Sequence, residues 1–176
     1  MSGHNKWSKI KHKKAATDAA KSKVFGKAAR LIALESKKAS GDTSAPGLRA
    51  AIDAARVVNM PKDNIDRAVA KGSSSETAAL ESIVYEMYGP GGTAILIDIL
   101  TDNRKRTAAE MRHMLSKLGY ELATPGSAAW AFMKGTEGYE AQTTVDISDE
   151  DGERLETLME ALDDHDDVQE VYTNAA

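Results

Sequence analysis

Ile83-Val84-Tyr85-Glu86-Met87-Tyr88-Gly89-Pro90-Gly91-Gly92-Thr93-Ala94-Ile95-Leu96-Ile97-Asp98-Ile99-Leu100 decides the fold class. Two runs rich in β-branched and apolar residues flank a block of glycine and proline. Such side chains suit a pleated, half-buried surface, and glycine reaches the positive φ that a tight turn demands. The stretch predicts two strands, Ile83 to Tyr88 and Thr93 to Leu100, joined by a turn. The glycine block has neither a GxGxxG pattern nor a Walker lysine, so it is not a phosphate loop. It reads as a turn, or as backbone pressed against a partner.

Downstream, Asn103 to Leu118 predicts a helix with Ala108, Met111, Leu115 and Leu118 along one side and Gly119 after its end. Ser127 to Phe132 and Thr143 to Ile147 read as short strands. Ser148 resembles an N-cap with an acid, Asp151, at the third helical position. The helix it opens carries Leu155, Leu158, Met159 and Leu162, and Val168 to Tyr172 is a last strand. From Ala94 the order is strand, helix, strand, strand, helix, strand. That order predicts a ferredoxin-like βαββαβ arrangement, with Ile83 to Tyr88 as an extra strand.

Upstream the apolar period changes from two to about 3.6. Asp18 to Lys38 carries Val24, Phe25, Ala28, Leu31 and Ile32 at helical spacing. Pro46 opens a second helix with Leu48, Ala51, Ile52, Ala55 and Val58, and Pro61 a third with Ile65, Ala68 and Val69, closed by Gly72. The expected fold class is α+β: an N-terminal three-helix domain followed by a ferredoxin-like domain with an extra strand. Residues 1–20 are expected to be a basic flexible arm, 21–72 the helical bundle, 73–80 a serine-rich linker, and 81–176 an acidic α+β domain.

Charge divides the chain in the same place. The net charge over 176 residues is −4, but residues 1–72 hold 16 Lys+Arg against 6 Asp+Glu, a net +10. Residues 73–176 hold 7 against 21, a net −14. A basic half attracts polyanions, and an acidic half repels them. Hydrophobic residues at 41% and charged residues at 28% are ordinary for a globular protein. The absence of cysteine excludes disulfides, thiolate metal sites and a cysteine nucleophile. No run approaches the roughly 18 apolar residues of a membrane span, and the polar N-terminus lacks a secretory apolar segment. A cytoplasmic protein with no membrane partner is expected.

The N-terminal arm is the strongest functional signal. Lys6, Lys9, Lys11, Lys13, Lys14, Lys21, Lys23, Lys27 and Arg30 stand against one acid, Asp18. Each lysine placed near a phosphate releases a condensed counterion. Trp7, with His4 and His12 nearby, either stacks on an exposed base or tucks against the bundle. A second basic cluster, Arg104-Lys105-Arg106, falls at a helix N-terminus, where cations oppose the macrodipole. It either holds an anion with the free N–H groups or is neutralised by acids such as Asp102 and Glu110. The run Asp163-Asp164-His165-Asp166-Asp167 lacks calcium-loop spacing and reads as a solvated turn. His4, His12, His113 and His165 show no metal-ligand spacing, and no triad is evident. No metal, no cofactor and no catalytic residue is expected.

Several runs together carry a family resemblance. They are Gly3-His4-Asn5-Lys6-Trp7, Ile10-Lys11-His12-Lys13-Lys14-Ala15, Asn59-Met60-Pro61, Ile65-Asp66-Arg67-Ala68, Tyr85 to Gly92, Leu100 to Thr107, and Asp166 to Asn174. In this order they resemble the YebC family of probable transcriptional regulatory proteins, which also includes a translational activator of mitochondrial cytochrome c oxidase. The resemblance implies a cytoplasmic, non-enzymatic protein that binds DNA and regulates transcription. It also implies similarity to ribosome-associated translation factors that relieve stalling. Family members usually carry a further α+β domain between the segments ending near Gly135 and starting near Tyr139, an interval almost empty here. Glycine pairs are more usual where this chain has Gly119-Tyr120.

The expected function is therefore nucleic-acid binding in the regulation of gene expression, with DNA, ribosomal or transfer RNA, or the ribosome as partner, and a monomeric chain. The competing reading is a protein-interaction module acting through the acidic α+β domain. The third predicted helix carries only Lys62, Arg67 and Lys71 beside Asp63 and Asp66, which is weak material for a DNA recognition helix.

Overall fold

Three helices, α1 (Asp18–Lys38), α2 (Pro46–Val57) and α3 (Lys62–Ser73), build the first unit of the computed structural model. Residues 18–75, 79–136 and 138–176 are described. The chain divides into two compact units, one ending at Leu80 and one running from Glu81 to Ala176. In the helical unit Ile32, Leu48, Ala51, Ile52, Ala55, Met60, Ile65 and Ala68 form the buried cluster. These are the positions that helical spacing brings to one stripe. Gly72 does not stop α3 but lies inside it, against Ala33 and Ser36 of α1. The Ser36 hydroxyl donates to the Val69 carbonyl at 2.7 Å, fixing the same crossing.

The second unit is β1 (Glu81–Tyr88), β2 (Ala94–Thr101), α4 (Arg104–Leu118), β3 (Phe132–Gly135), β4 (Gly138–Ala141), α5 (Asp149–Asp163) and β5 (Val168–Thr173). The chain is α+β. β1 and β2 pair antiparallel in the register Glu81↔Thr101 to Tyr88↔Ala94. The turn between them holds Gly91 at φ 65° and Gly92 at φ 74°, the left-handed conformation that favours glycine. β5 pairs antiparallel with the other edge of β2. Ile95, Ile97 and Ile99 meet Met111 and Leu115 of α4 and Leu155, Leu158, Met159 and Leu162 of α5 in one core. Truncating one of these buried side chains to alanine costs about 2–5 kcal/mol.

The single ferredoxin-like sheet is not what forms. The strands make a three-stranded sheet, β1-β2-β5, and a separate two-stranded one, β3-β4. A strand has two edges. β1 takes one edge of β2 and β5 the other, so none is left for the segment 132–141, which pairs with itself. That hairpin covers the second sheet face, where Phe132, Ala128 and Ala131 pack on Ala94 and Leu96.

Two expected strands also move. Ser127 to Phe132 is mostly turn, with a 3-10 turn at Ala129–Ala131 before β3 begins. The Glu86 carboxylate collects the N–H groups of Gly126, Ala128 and Ala129, the last two of which a strand would have sent to a neighbour. Thr143 to Ile147 is no strand either. Its one bridge is parallel, Val145↔Ala175. Ser148 caps α5, as its spacing from Asp151 predicts, its hydroxyl accepting from the Asp151 N–H at 3.2 Å. Among the described residues, no helix is long and apolar enough to cross a membrane.

Candidate nucleic-acid interface

His4, Lys6, Trp7, Lys9, Lys11, His12, Lys13 and Lys14 lie outside the described residues. The remaining candidates fall on two helices. Lys21, Lys23, Lys27 and Arg30 are on α1, whose buried residues, Ile32, Ala33 and Ser36, are all in its second half. The first half is therefore available to carry charge. At 100° per residue, Lys23, Lys27 and Arg30 share one stripe and Lys21 points elsewhere.

Beside that stripe α1 and α3 leave an open groove of about 310 Å³. Phe25, Gly26 and Ala29 line it from α1, and Asn64, Arg67 and Lys71 from α3. Gly26 sits between the groove and the cation stripe, and among the described residues nothing lies within 4 Å of where a Cβ would be. The Arg67 guanidinium donates to the Asn64 side-chain oxygen and, at 3.2 Å, to the Asp63 carbonyl. That assigns the Asn64 side-chain oxygen as acceptor and leaves its NH₂ as a donor. Charge density alone could not reveal this groove, because it depends on how two helices pack.

Arg104, Lys105 and Arg106 open α4. Asn103 caps that helix, its side chain accepting from the Arg106 N–H at 3.1 Å, and the Thr101 hydroxyl accepts from the Asn103 N–H at 2.9 Å. The three cations then part company. Arg106 pairs with Asp102 at 3.0 Å, Glu110 at 3.7 Å and Asp167 at 2.9 Å. Its hydrogen bond to Asp167 holds the guanidinium pKa above its ordinary value, against a small cost of burial. Arg104 and Lys105 are exposed and make no ion pair among the described residues. The apparent conflict between three cations and a helix N-terminus is thus met by the acid-ringed Arg106.

The acidic run is correspondingly less solvated than its composition implies. Asp167 is 2% exposed. It accepts the Thr107 hydroxyl at 2.7 Å, and its own N–H donates to His165 Nδ1 at 3.1 Å. With Nδ1 accepting, Nε2 carries the proton and faces Glu110 Oε2 at 3.1 Å. Glu110, His165 and Asp167 converge within 4.8 Å, and Arg106 supplies the positive charge among them.

Two further features were invisible in the sequence. Glu86 is a buried acid in mid-strand. Burial pushes its carboxyl up, but the three backbone N–H groups outweigh that and hold it below the ordinary carboxylate value. Near it, Trp130 Nε1 donates to the Tyr88 hydroxyl at 3.0 Å, and Tyr88 donates to the Ser127 carbonyl. Trp130 stays 59% exposed. The one available signal for Glu86 was its parity, since it shares a strand face with Val84.

The family model described as "TACO1/YebC protein N-terminal domain" matches residues 5–75. The one described as "TACO1/YebC second and third domain" matches residues 80–137 and 135–175. A "Probable transcriptional regulatory protein" of Trichlorobacter lovleyi is 46% identical over 98% of this chain and 70% of its own length. One of the same description from Fervidobacterium nodosum is 38% identical over 99% of this chain and 93% of its own. That alignment runs over 236 positions against 176 residues here, so about 60 positions of the relative have no counterpart. The crystal structure of a conserved hypothetical protein from Aquifex aeolicus superposes with a TM-score of 0.80 at 26% identity, covering 90% of this chain and 91% of that one.

Proposed function

The chain belongs to the TACO1/YebC family, and from that premise we propose that it regulates gene expression in the cytoplasm by binding nucleic acid, with no catalytic step of its own. The observation that supports this reading is the segregation of charge, +10 in the first 72 residues against −14 in the rest. The basic unit of such a chain is drawn to a polyanion and the acidic unit is repelled by it. Lysine contacts to phosphate supply affinity without sequence information.

The names of the relatives favour transcription. The character of α3 favours RNA. Its Lys62 is paired with Asp66 at 2.6 Å and its Arg67 is folded back on Asn64 and Asp63, so no row of base-reading side chains is presented. We therefore take structured RNA, on the ribosome, as the primary target. Crosslinking in cells, followed by sequencing of bound nucleic acid, tests this. Enrichment of ribosomal or transfer RNA, together with co-sedimentation with ribosomes at near-physiological salt, is the expected result. A selective promoter complex that persists against excess competitor DNA overturns the ribosomal target. Recovery of neither nucleic acid overturns the reading as a whole.

A further inference from the structure

We propose that the groove between α1 and α3 is a seat for an unpaired RNA strand, a site that rests on the nucleic-acid reading above and gives it a location. The charged residues that line it, Arg67 and Lys71 on α3, are both cations. By helical spacing Lys23, Lys27 and Arg30 form a stripe beside it on α1. Phosphates are attracted to both sets of cations, and each contact releases counterions. The groove also has an apolar surface, with Phe25 and Met60 contributing. A base or sugar has an apolar floor to rest on while its phosphates face the cations.

Gly26 makes close approach possible. It lies in mid-helix, where glycine is disfavoured by its entropy, and among the described residues no atom lies within 4 Å of an added Cβ. Packing among the described residues therefore gives no reason for glycine at this position. A strand running against the helix backbone does. Gly72 is the contrast: an added Cβ there would come within 2.7 Å of Ser36 Cβ and 2.8 Å of Ala33 Cα, so helix packing demands glycine.

The apolar floor selects a single strand. An unpaired strand has base faces free to rest on it, whereas a duplex keeps its bases stacked inside. Asn64 selects RNA. Its side-chain oxygen is taken by Arg67, which leaves the amide NH₂ at the groove as a donor for a ribose 2′-hydroxyl.

The test uses the full chain, a short single-stranded RNA of mixed sequence and the DNA strand of identical sequence, with affinity read by fluorescence anisotropy over a salt series. Gly26→Leu fills the groove while raising helix propensity, so it folds, and circular dichroism checks that it does. RNA affinity falls about five- to tenfold in Gly26→Leu, the scale of a single stacking or backbone interaction. Arg67→Ala lowers the salt slope by about 0.7, one phosphate on a single strand. Asn64→Ala narrows the preference for RNA over DNA. If the wild type binds RNA and both Gly26→Leu and Arg67→Ala bind it unchanged, the groove is not the site, and the nucleic-acid reading stands without it. A wild type that binds both strands equally overturns the choice of RNA. A wild type that binds neither overturns the underlying reading and this site together.

Discussion

The Arg106 guanidinium and the Asp167 carboxylate meet at 2.9 Å, and the carboxylate oxygen they share also accepts the Thr107 hydroxyl at 2.7 Å. Asp167 is buried on the turn into β5, whereas the Arg106 side chain is 41% exposed. Removing the arginine leaves a buried acceptor short of its charged partner. Arg106→Ala should lower stability by about 1–3 kcal/mol, toward the lower end because solvent screens the exposed guanidinium. Arg104→Ala should stay within about 0.5 kcal/mol of wild type. Chemical denaturation of the two variants checks this, and equal midpoints would show that the Arg106 network carries no stability. Binding studies on this cluster should use Arg104 and Lys105, whose removal does not disturb the fold.

Glu86 predicts an acid limb in the stability profile. Its carboxyl lies below the ordinary value in the folded chain, so the folded state binds the proton less well than the unfolded one. The contribution is fully present above the unfolded pKa and is lost as pH falls through the folded one. Wild type should therefore lose stability on acidification below about pH 4.5. Glu86→Gln can no longer accept all three N–H groups and should cost about 1–3 kcal/mol at neutral pH. Thermal melts from pH 3 to pH 7 should show a shallower acid limb in the variant. An unchanged limb would assign the acid sensitivity elsewhere.

Asp98 should act with the opposite sign. It stands in β2 directly across from Glu170 of β5. Burial first, and then the Glu170 charge, push its carboxyl above the ordinary value, with Lys134 offsetting part of the effect. A raised folded pKa means that stability falls as pH rises from the unfolded value through the folded one and stays lower above it. Asp98→Asn removes that penalty. The variant should melt higher than wild type at pH 7, and the advantage should vanish near pH 3. A lower melting temperature at pH 7 would mean that the carboxylate makes an interaction worth more than its desolvation.

The arm predicts a salt effect. Replacing Lys9, Lys11, Lys13 and Lys14 with alanine should weaken binding to every nucleic acid tested. The slope of log affinity against log salt should fall by about 0.7–0.9 for each phosphate no longer neutralised. Titrations at several salt concentrations measure both quantities, and an unchanged slope would move the electrostatic contact off the arm.

Local pattern was enough for much of this chain. Helical spacing of Phe25, Ala28 and Ile32 located α1 at Asp18–Lys38, Pro46 opened α2, and Ser148 capped α5. The Gly89 to Gly92 block lay between two strands because glycine reaches positive φ without strain. Charge, likewise, is a property of composition, and the contrast between the two halves was legible at once. What local pattern cannot carry is the identity of a distant partner. Whether β2 would pair with β1 and β5 or with the segment 132–141 depended on competition for two edges, and the loser became a separate hairpin. Ser127 to Phe132 has the composition of a strand, but Glu86, some forty residues earlier, took the Ala128 and Ala129 N–H groups that pairing would have used. Arg104 and Arg106 are alike in sequence and differ because only Arg106 reaches Asp167, 61 residues away. Gly26 and Gly72 are both glycines in helices. The approach of α1 to α3 closes space at Gly72 and leaves it open at Gly26, because close packing acts between surfaces that only the folded chain brings together.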